Sequence, residues 1–241
     1  MKRILSFGGG LQTTALAILV AQGKLQVDEV VFADTGCEKP ETYWYMENYI
    51  KPLFEEVRIP FTIVKSEVKK EVGGLYQYYW QRRDIPSIIR RECTDHFKIR
   101  PMNKYNGKDD ICLIIGFSLD EAHRAEHNRH KNPEFPLIEK QLDAKACRCL
   151  ISDYGLPVPL KSSCYICQFQ PVIEWNWLKN NHPELFQKAL DLENRYHERK
   201  PEMRDNSGLL RGTPLWRMRE GLQPEMFQSG EYSCWSGHCG H

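Results

Sequence analysis

Two groups of residues in this chain have the types and spacing to do chemistry. The first is Ser6 to Thr14, SFGGGLQTT, in which Gly8, Gly9 and Gly10 separate a short apolar run from a segment of helical spacing. A strand, a glycine turn and a helix N-terminus form an anion cradle. The glycines let backbone approach the ligand, and the first-turn N–H groups point at it. Ser6, Thr13 and Thr14 add hydroxyls. Two familiar phosphate loops are excluded by their own patterns, because Leu11 and Gln12 follow Gly10 where one needs Lys, and Thr13 stands where the other needs a third glycine. The bland alternative is a glycine turn closing any βα unit.

The second group is the nine cysteines. In a chain that shows no secretion signal, they are expected as ligands or redox groups rather than as disulfides. Cys164 and Cys167 form a C-x-x-C, a spacing shared by zinc knuckles, redox pairs and iron–sulfur ligands. Cys93, with Cys147 or Cys149, is available to complete four thiolates, and spacing does not choose between zinc and a [4Fe–4S] cluster. Cys112 lies in an apolar run and reads as core. Cys37 stands beside the DTG turn, where nearness to a ligand is as easily accident as design. For the tail CWSGHCGH, with Cys234 and Cys239, an extra metal site, a redox arm and a disordered end all stay open.

The elements that must position these groups follow from hydrophobic pattern. Arg3 to Phe7, Val27 to Ala33, Phe61 to Lys65 and Ile111 to Phe117 read as strands. Gln12 to Val20 and Glu41 to Phe54 read as helices between them. Alternating β and α segments predict a doubly wound, mainly parallel sheet, Rossmann-like, with Pro136 to Ile138 as a fifth strand. Leu119 to His130 is expected to open a helix, and Asp143 to N-cap another through Asp153. After Cys167 the pattern is helical to about Arg199, with Pro183 at a helix start. The segment 67–92, crowded with aromatics and arginines, reads as a mobile, partly helical excursion over the ligand or as a solvated basic helix. The expected division is an α/β nucleotide-binding domain over residues 1–155 and a helical, cysteine-rich region over 156–241.

Thirty-three basic and 32 acidic residues give a net charge of +1. No global field therefore argues for free-standing nucleic-acid binding. No apolar run reaches the length of a membrane span, so a cytoplasmic protein without membrane partners is expected.

Taken in order, the motifs resemble the phosphoadenosine phosphosulfate (PAPS) reductase family, within the adenine nucleotide α-hydrolase, PP-loop ATP pyrophosphatase superfamily. SFGGGLQTT resembles the PP-loop, with Gln12 where the pyrophosphatases usually carry Asp. FADTGCEKPETYWY, RECTDHFKIRPM, GFSLDEAHR and PLKSSCYICQF resemble further family segments, over roughly residues 3 to 195. The likeness is greater to a divergent, phage- or defence-type branch. It implies ATP or PAPS as ligand, Mg²⁺, and a [4Fe–4S] cluster or zinc.

It implies nucleotide contacts from Ser6, Phe7, Gly8, Gly9, Gly10, Gln12, Thr13, Thr14, Phe32, Ala33, Asp34, Thr35, Gly36, Glu38, Arg100, Gly116, Asp120 and Glu121. Asp34 and Glu38 would position metal or ribose, and Lys98, Arg100 and Arg124 would clamp phosphate or sulfate oxygens; a surface salt bridge is the alternative for each. Cys93, Cys164 and Cys167 carry over as cluster ligands, with Cys147 as the natural fourth. Cys239-Gly240-His241 echoes the reductases' catalytic cysteine segment in part.

Three activities follow. One is ATP cleavage to AMP and pyrophosphate, to activate an acceptor for sulfur transfer of nucleic-acid thiolation type. Another is sulfonucleotide reduction with Cys239 as nucleophile. The third is a non-catalytic nucleotide-binding subunit touching nucleic acid through Tyr76 to Arg91. The implied partners are nucleic acid, a cysteine desulfurase or thioredoxin, and a second copy of the chain.

Overall fold

The computed structural model describes residues 1–107, 110–128, 130 and 132–218. Five parallel strands, β1 (Lys2–Phe7), β2 (Glu29–Asp34), β3 (Phe61–Lys65), β4 (Ile111–Ile115) and β5 (Pro133–Glu134), lie in the order β3-β2-β1-β4-β5. The direction of winding reverses at β1, so β2 and β4 flank it on opposite sides. The crevice past the strands' carboxyl ends at such a switch point is where open α/β sheets bind ligands. Ser6 to Thr14 occupies that position. The fifth strand is Pro133–Glu134, and Pro136–Glu139 is instead a single helical turn. Proline at a first helical position offers a preset φ and lacks only an N–H that would be unpaired there anyway.

The helices are α1 (Leu11–Ala21), α2 (Pro40–Tyr45), α3 (Lys51–Glu56), α4 (Glu67–Val72), α5 (Leu75–Arg82), α6 (Glu92–Thr94) and α7 (Arg100–Asn106). They continue with α8 (His123–Glu126), α9 (Pro136–Glu139), α10 (Ala144–Asp153), α11 (Val172–Asn181) and α12 (Pro183–Arg199). The expected helix from Glu41 to Phe54 is interrupted by a π turn, Met46–Ile50, and the one after Leu119 is a 3₁₀ turn followed by the short α8. Asp143 caps α10 as expected, its Oδ1 accepting from the Ala146 N–H at 2.7 Å.

Alternation along the strands sends Leu5, Phe7, Val30, Phe32 and Ile114 to one face of the sheet, under α1, α3 and α10. Ile4, Val31, Val64 and Leu113 face the other way, against Met102 of α7. α1 is apolar nearly all round, with Leu11 and Thr14 to Val20 buried, because sheet and α10 enclose it.

A second apolar cluster joins α5, α11 and α12 through Leu75, Tyr78, Tyr79, Trp175, Leu192 and Tyr196. The segment 67–92 is partly helical, and Leu75, Pro86, Ser87 and Arg91 face the crevice at the strands' carboxyl ends, but its centre is packed and is not a solvated basic helix. Tyr78 and Tyr79 are core, Arg82 stacks on Tyr78, Arg83 pairs with Glu198, and Arg90 pairs with Asp84 and Glu92. The aromatic spacing that resembled a contact surface is the buried stripe of a helix. Among the described residues no helix is long and apolar enough to cross a membrane.

Glu193, 2 % exposed on α12, fastens the last described loop by accepting N–H bonds from Leu215 and Leu209, both at 2.7 Å. Burial raises its carboxyl above the ordinary range, against the pull of those two N–H groups. The folded state therefore holds this proton more tightly than the unfolded chain. Its contribution to stability is full below the ordinary carboxylate range and is lost as pH rises through the raised value. Glu193→Gln keeps one carbonyl acceptor for two buried donors. It is expected to destabilise by about 1–3 kcal/mol and to flatten the pH dependence of the melting temperature over that interval.

Candidate functional site

β1 runs directly into the glycine loop, and the loop's shape is set by contacts that leave no room for side chains. Gly9 has φ +74°, and a Cβ there would stand 2.6 Å from Thr42 Cγ2. At Gly10 it would meet Ser162 Oγ at 2.7 Å. Gly116, just past β4, abuts the start of α1, where a Cβ would lie 2.9 Å from Thr13 Cγ2. Thr13 braces the loop from within. Its hydroxyl donates to the Gly10 carbonyl at 3.2 Å and accepts from the Gly8 N–H at 3.3 Å.

In front of the loop is a cavity of about 680 Å³, in the range of small-molecule sites. Gly8, Gly10, Gln12, Thr13, Thr35, Gly116, Glu121, Arg124 and Lys98 line it, together with Cys93, Cys164 and Cys167. Those sequence-selected residues are thus gathered from the ends of β1, β2 and β4, from the segment Glu92–Ile99 and from the loop Pro157 to Gln170. Others stand behind the wall. Phe7 and Phe32 pack on each other in the core, and Thr14 is on the buried side of α1. Asp34 shapes the turn after β2, its Oδ1 accepting from the Gly36 N–H at 2.8 Å and the Tyr43 hydroxyl at 2.7 Å. Asp120 accepts from the Ala144 N–H at 3.0 Å and so holds α10 rather than a ligand. Ser6, Gly9, Ala33 and Gly36 support the wall without forming it. Arg100 is not brought to this cavity. It is exposed, pairs with Asp95 at 2.7 Å, and borders a separate groove with Lys65, His96 and Lys104.

Arg124 lies over the Phe117 ring at 4.2 Å and pairs with Glu121, so a flat cationic surface faces the cavity from the β4 side. On the opposite side Lys98, in the π turn Asp95–Ile99, reaches Glu38 Oε1 at 3.4 Å. The Glu38 carboxylate raises the Lys98 ammonium well above the ordinary lysine value, so it stays charged. Glu38 Oε1 also accepts from Thr35 Oγ1 at 3.1 Å and lies 3.6 Å from Cys164 Sγ.

Sequence reasoning missed two lysines. Lys39, only 4 % exposed, and Lys161 share the Glu174 carboxylate, at 3.3 and 2.7 Å, and both line the cavity. Ser163 also donates to Glu174. Trp177 covers Lys39, its ring centroid 5.3 Å from Nζ. Lys39 precedes α2, whose Thr42 touches Gly9; Lys161 precedes Ser162, which touches Gly10. Both lysines therefore belong to segments that touch the glycine loop. The signal available in sequence was that Lys39 and Lys161 lie inside the motifs FADTGCEKPETYWY and PLKSSCYICQF.

Cys147 is placed apart from the other expected thiolates. It is buried in the cluster between the sheet and α10, and burial pushes its thiol up to about 12. Cys93, Cys164 and Cys167 share the cavity wall, and Cys37 lies behind Cys164 in the same apolar cluster. Burial, then the nearness of Cys164, raises Cys37 and Cys93 and pushes Cys167 up to about 12. Among the described residues no three His, Cys, Asp or Glu side chains stand close enough to hold a single metal ion. One zinc at about 2.3 Å from each sulfur needs thiolates nearly in contact. A polynuclear iron–sulfur group, with iron and sulfide between the thiolates, accepts a wider set. The donor chemistry fits such a group. Cys239 lies outside the described residues.

The chain has counterparts among known proteins. The model of the phosphoadenosine phosphosulfate reductase domain family matches residues 2–181. An uncharacterised nin region protein of Escherichia phage lambda is 29 % identical over 150 residues, 52 % of this chain and 50 % of that protein. Two uncharacterised proteins of Methanocaldococcus jannaschii are each 24 % identical, over 239 and 222 residues. These cover 92 % and 81 % of this chain and 52 % and 42 % of those proteins. The chain spans about half the length of the relatives it matches.

Proposed function

The chain belongs to the phosphoadenosine phosphosulfate reductase domain family, and from that premise we propose that it is a PP-loop enzyme. In this reading it cleaves ATP to AMP and pyrophosphate to activate an acceptor for sulfur transfer. One observation carries the reading: a single cavity is lined by the glycine loop, by Lys39 and Lys161, and by Cys93, Cys164 and Cys167. A phosphate chain on the loop would place its leaving end among N–H groups and ammoniums, and its other end toward the thiols.

In the proposed step a nucleophilic oxygen of the acceptor attacks the α-phosphorus. The bond from that phosphorus to the β-bridging oxygen breaks, and pyrophosphate leaves with the charge. Donors already aimed at the site of developing charge stabilise that transition state without reorganising. The loop N–H groups, Lys39 and Lys161 hold the pyrophosphate end, while Arg124 steadies the adenylate from the β4 side. Glu121 and Glu174 are both engaged with cations, so Mg²⁺ would arrive on the nucleotide's own phosphates, as it commonly does. The Mg²⁺ supplies charge neutralisation. An acceptor of nucleic-acid type and a persulfide-bearing protein as sulfur donor complete the reading. The persulfide's outer sulfur then displaces AMP from the activated carbon, and a second thiol attacks the donor's inner sulfur, releasing the thiolated acceptor and leaving a disulfide that a dithiol reductant reopens.

The family's own description favours a second reading, reduction of a sulfonucleotide. There a Cys239 thiolate would attack the sulfonate sulfur of PAPS, form the new S–S bond and release the nucleotide phosphate. A thioredoxin dithiol would then free sulfite by disulfide exchange. Two assays separate these. Incubation with ATP and tRNA or DNA should release pyrophosphate and AMP in equal amounts, and PAPS with thioredoxin should yield no sulfite. Sulfite production abolished by Cys239→Ser, with no pyrophosphate from ATP, would reverse the assignment.

A further inference from the structure

Arg100 was singled out in the sequence as an oxyanion clamp, yet the fold turns it away from the cavity and into the second groove. That groove is walled by β3, the start of α4 and α7, and at about 670 Å³ it holds a ligand of nucleotide size. Lys65, exposed at the end of β3, lines it together with Arg100 and Lys104, which stand one turn apart on α7. Glu67 is the one carboxylate among the lining residues, so three permanent cations meet one anion there. Arg100 pairs with Asp95 at 2.7 Å and Lys104 with Glu67 at 3.1 Å, and both pairs are exposed. Exposed pairs contribute little, so a phosphate takes either cation at small cost. Tyr105 adds a ring to the same wall. Its hydroxyl donates to Glu29, which anchors the side chain, while 43 % of the residue stays exposed.

Backbone joins this groove to the cavity. One continuous segment presents Cys93, Thr94 and Lys98 to the cavity and His96, Arg100 and Pro101 to the groove. It does so through the π turn Asp95–Ile99, a distortion frequent at functional sites. Lys65 also stands in register with Asp34 of β2, and Thr35, the next residue, lines the cavity.

A charged edge strand has an ordinary explanation, since a lysine there discourages edge-to-edge pairing. β3 is an edge of the sheet, and Lys65 alone would need no more than that. Edge protection asks for neither a ring nor cations supplied by α7 around a concave surface. With a net charge of only +1 over the whole chain, the excess of cations here is not a sample of a generally basic surface.

We propose that this groove holds the phosphate backbone of a single-stranded nucleic-acid segment, the strand that carries the acceptor. Lys65, Arg100 and Lys104 take its phosphates, and a base stacks on Tyr105. A duplex hides its base faces and an acidic peptide has none, so the ring favours a single strand. The proposal rests on the nucleic-acid acceptor of the proposed function and adds where that acceptor docks. A strand gripped there lies against the same segment that carries Cys93 and Lys98 to the cavity.

The test is fluorescence anisotropy of the full chain with a labelled single-stranded oligonucleotide, over a range of salt concentrations. Wild type is compared with the triple variant Lys65→Gln, Arg100→Gln, Lys104→Gln. A second triple, Lys24→Gln, Lys145→Gln, Lys188→Gln, removes as much charge from exposed positions elsewhere. The groove triple is expected to bind roughly ten- to a hundredfold more weakly at low salt. Its slope of log affinity on log salt is expected to shrink by about 2, because each phosphate contact to a single strand contributes about 0.7. Tyr105→Leu should lose affinity severalfold with the slope unchanged, and affinity equal to wild type removes the stacked base. The second triple should keep both affinity and slope. ATP affinity, measured by calorimetry, should be unchanged in the groove triple, since none of its three residues lines the cavity. Wild-type oligonucleotide binding by the groove triple, an equal loss in the second triple, or no binding by wild type overturns the proposal. Pyrophosphate release from ATP is measured apart. Oligonucleotide bound through the groove without that release overturns the catalytic reading and leaves the groove standing, whereas release without groove-dependent binding overturns the groove alone.

Discussion

Gly9→Ala is expected to weaken ATP binding by roughly tenfold or more while leaving the sheet intact. Two costs coincide at this position. The backbone φ of +74° lies in the left-handed region, where a side chain costs about 1–3 kcal/mol. A Cβ would also stand 2.6 Å from the Thr42 methyl, which is held by α2. The loop relieves both by rotating out of its present path, and that path is what aims the Gly8 and Gly10 backbone into the cavity. Titration calorimetry with ATP measures the loss, and far-UV circular dichroism checks the fold.

Gly10→Ala provides the comparison, because its clash is with a hydroxyl. The built Cβ lies 2.7 Å from Ser162 Oγ but 3.7 Å from Ser162 Cβ, so removing that one oxygen restores ordinary contact. Gly10→Ala should bind ATP poorly, and the double variant Gly10→Ala, Ser162→Ala should recover most of the affinity. Gly9→Ala binding ATP as wild type does would remove the phosphate-cradle reading of the loop.

How much of this was legible beforehand depended on distance along the chain. The glycine loop is local: strand, turn and helix are adjacent in sequence, and both its position and its neighbours Gln12 and Thr13 were readable. The sheet followed from alternation alone, because burial on both faces makes strands continuous apolar runs. Where pattern failed, tertiary packing had overridden it. Tyr78 and Tyr79 resembled a stacking surface because their helix is short and crowded with aromatics ahead of several arginines, and only α11 and α12, about a hundred residues away, reveal that they are core. Pro136 to Ile138 was mistaken for a strand because three residues carry no period to distinguish the two states. Cys147 was grouped with the other thiols for a related reason. Spacing says which thiols are near in sequence, whereas the packing of α10 on the sheet decides that Cys147 lies in the core and not on the cavity wall. Lys39 and Lys161 escaped notice because neither is unusual until Glu174 brings them together.

That convergence makes the lysines the second place where a large effect is expected. Two ammonium groups share one carboxylate on the cavity wall, and Lys39 is almost wholly enclosed. A buried cation gains from an anion that joins it in the same low-dielectric surroundings. A pyrophosphate on the loop would be that anion, taking hydrogen bonds from both lysines. Each such bond to a charged group contributes about 1.5–3 kcal/mol, so Lys39→Ala and Lys161→Ala should each weaken ATP binding by roughly ten- to a hundredfold.

AMP decides what the loss means. It lacks the β- and γ-phosphates, so its affinity should fall only slightly in either variant, and the ratio of ATP to AMP affinity should collapse. Equal losses for the two nucleotides would place the lysines away from the pyrophosphate end, and the direction of the nucleotide in the cavity would have to be reversed. Glu174→Gln serves as the counterpart. It removes the charge that holds both lysines without removing the lysines themselves. The nucleotide-free protein should melt at a lower temperature, and ATP should raise that temperature by more than it does in wild type. Binding of the phosphates then supplies the counter-charge that Glu174 supplied before.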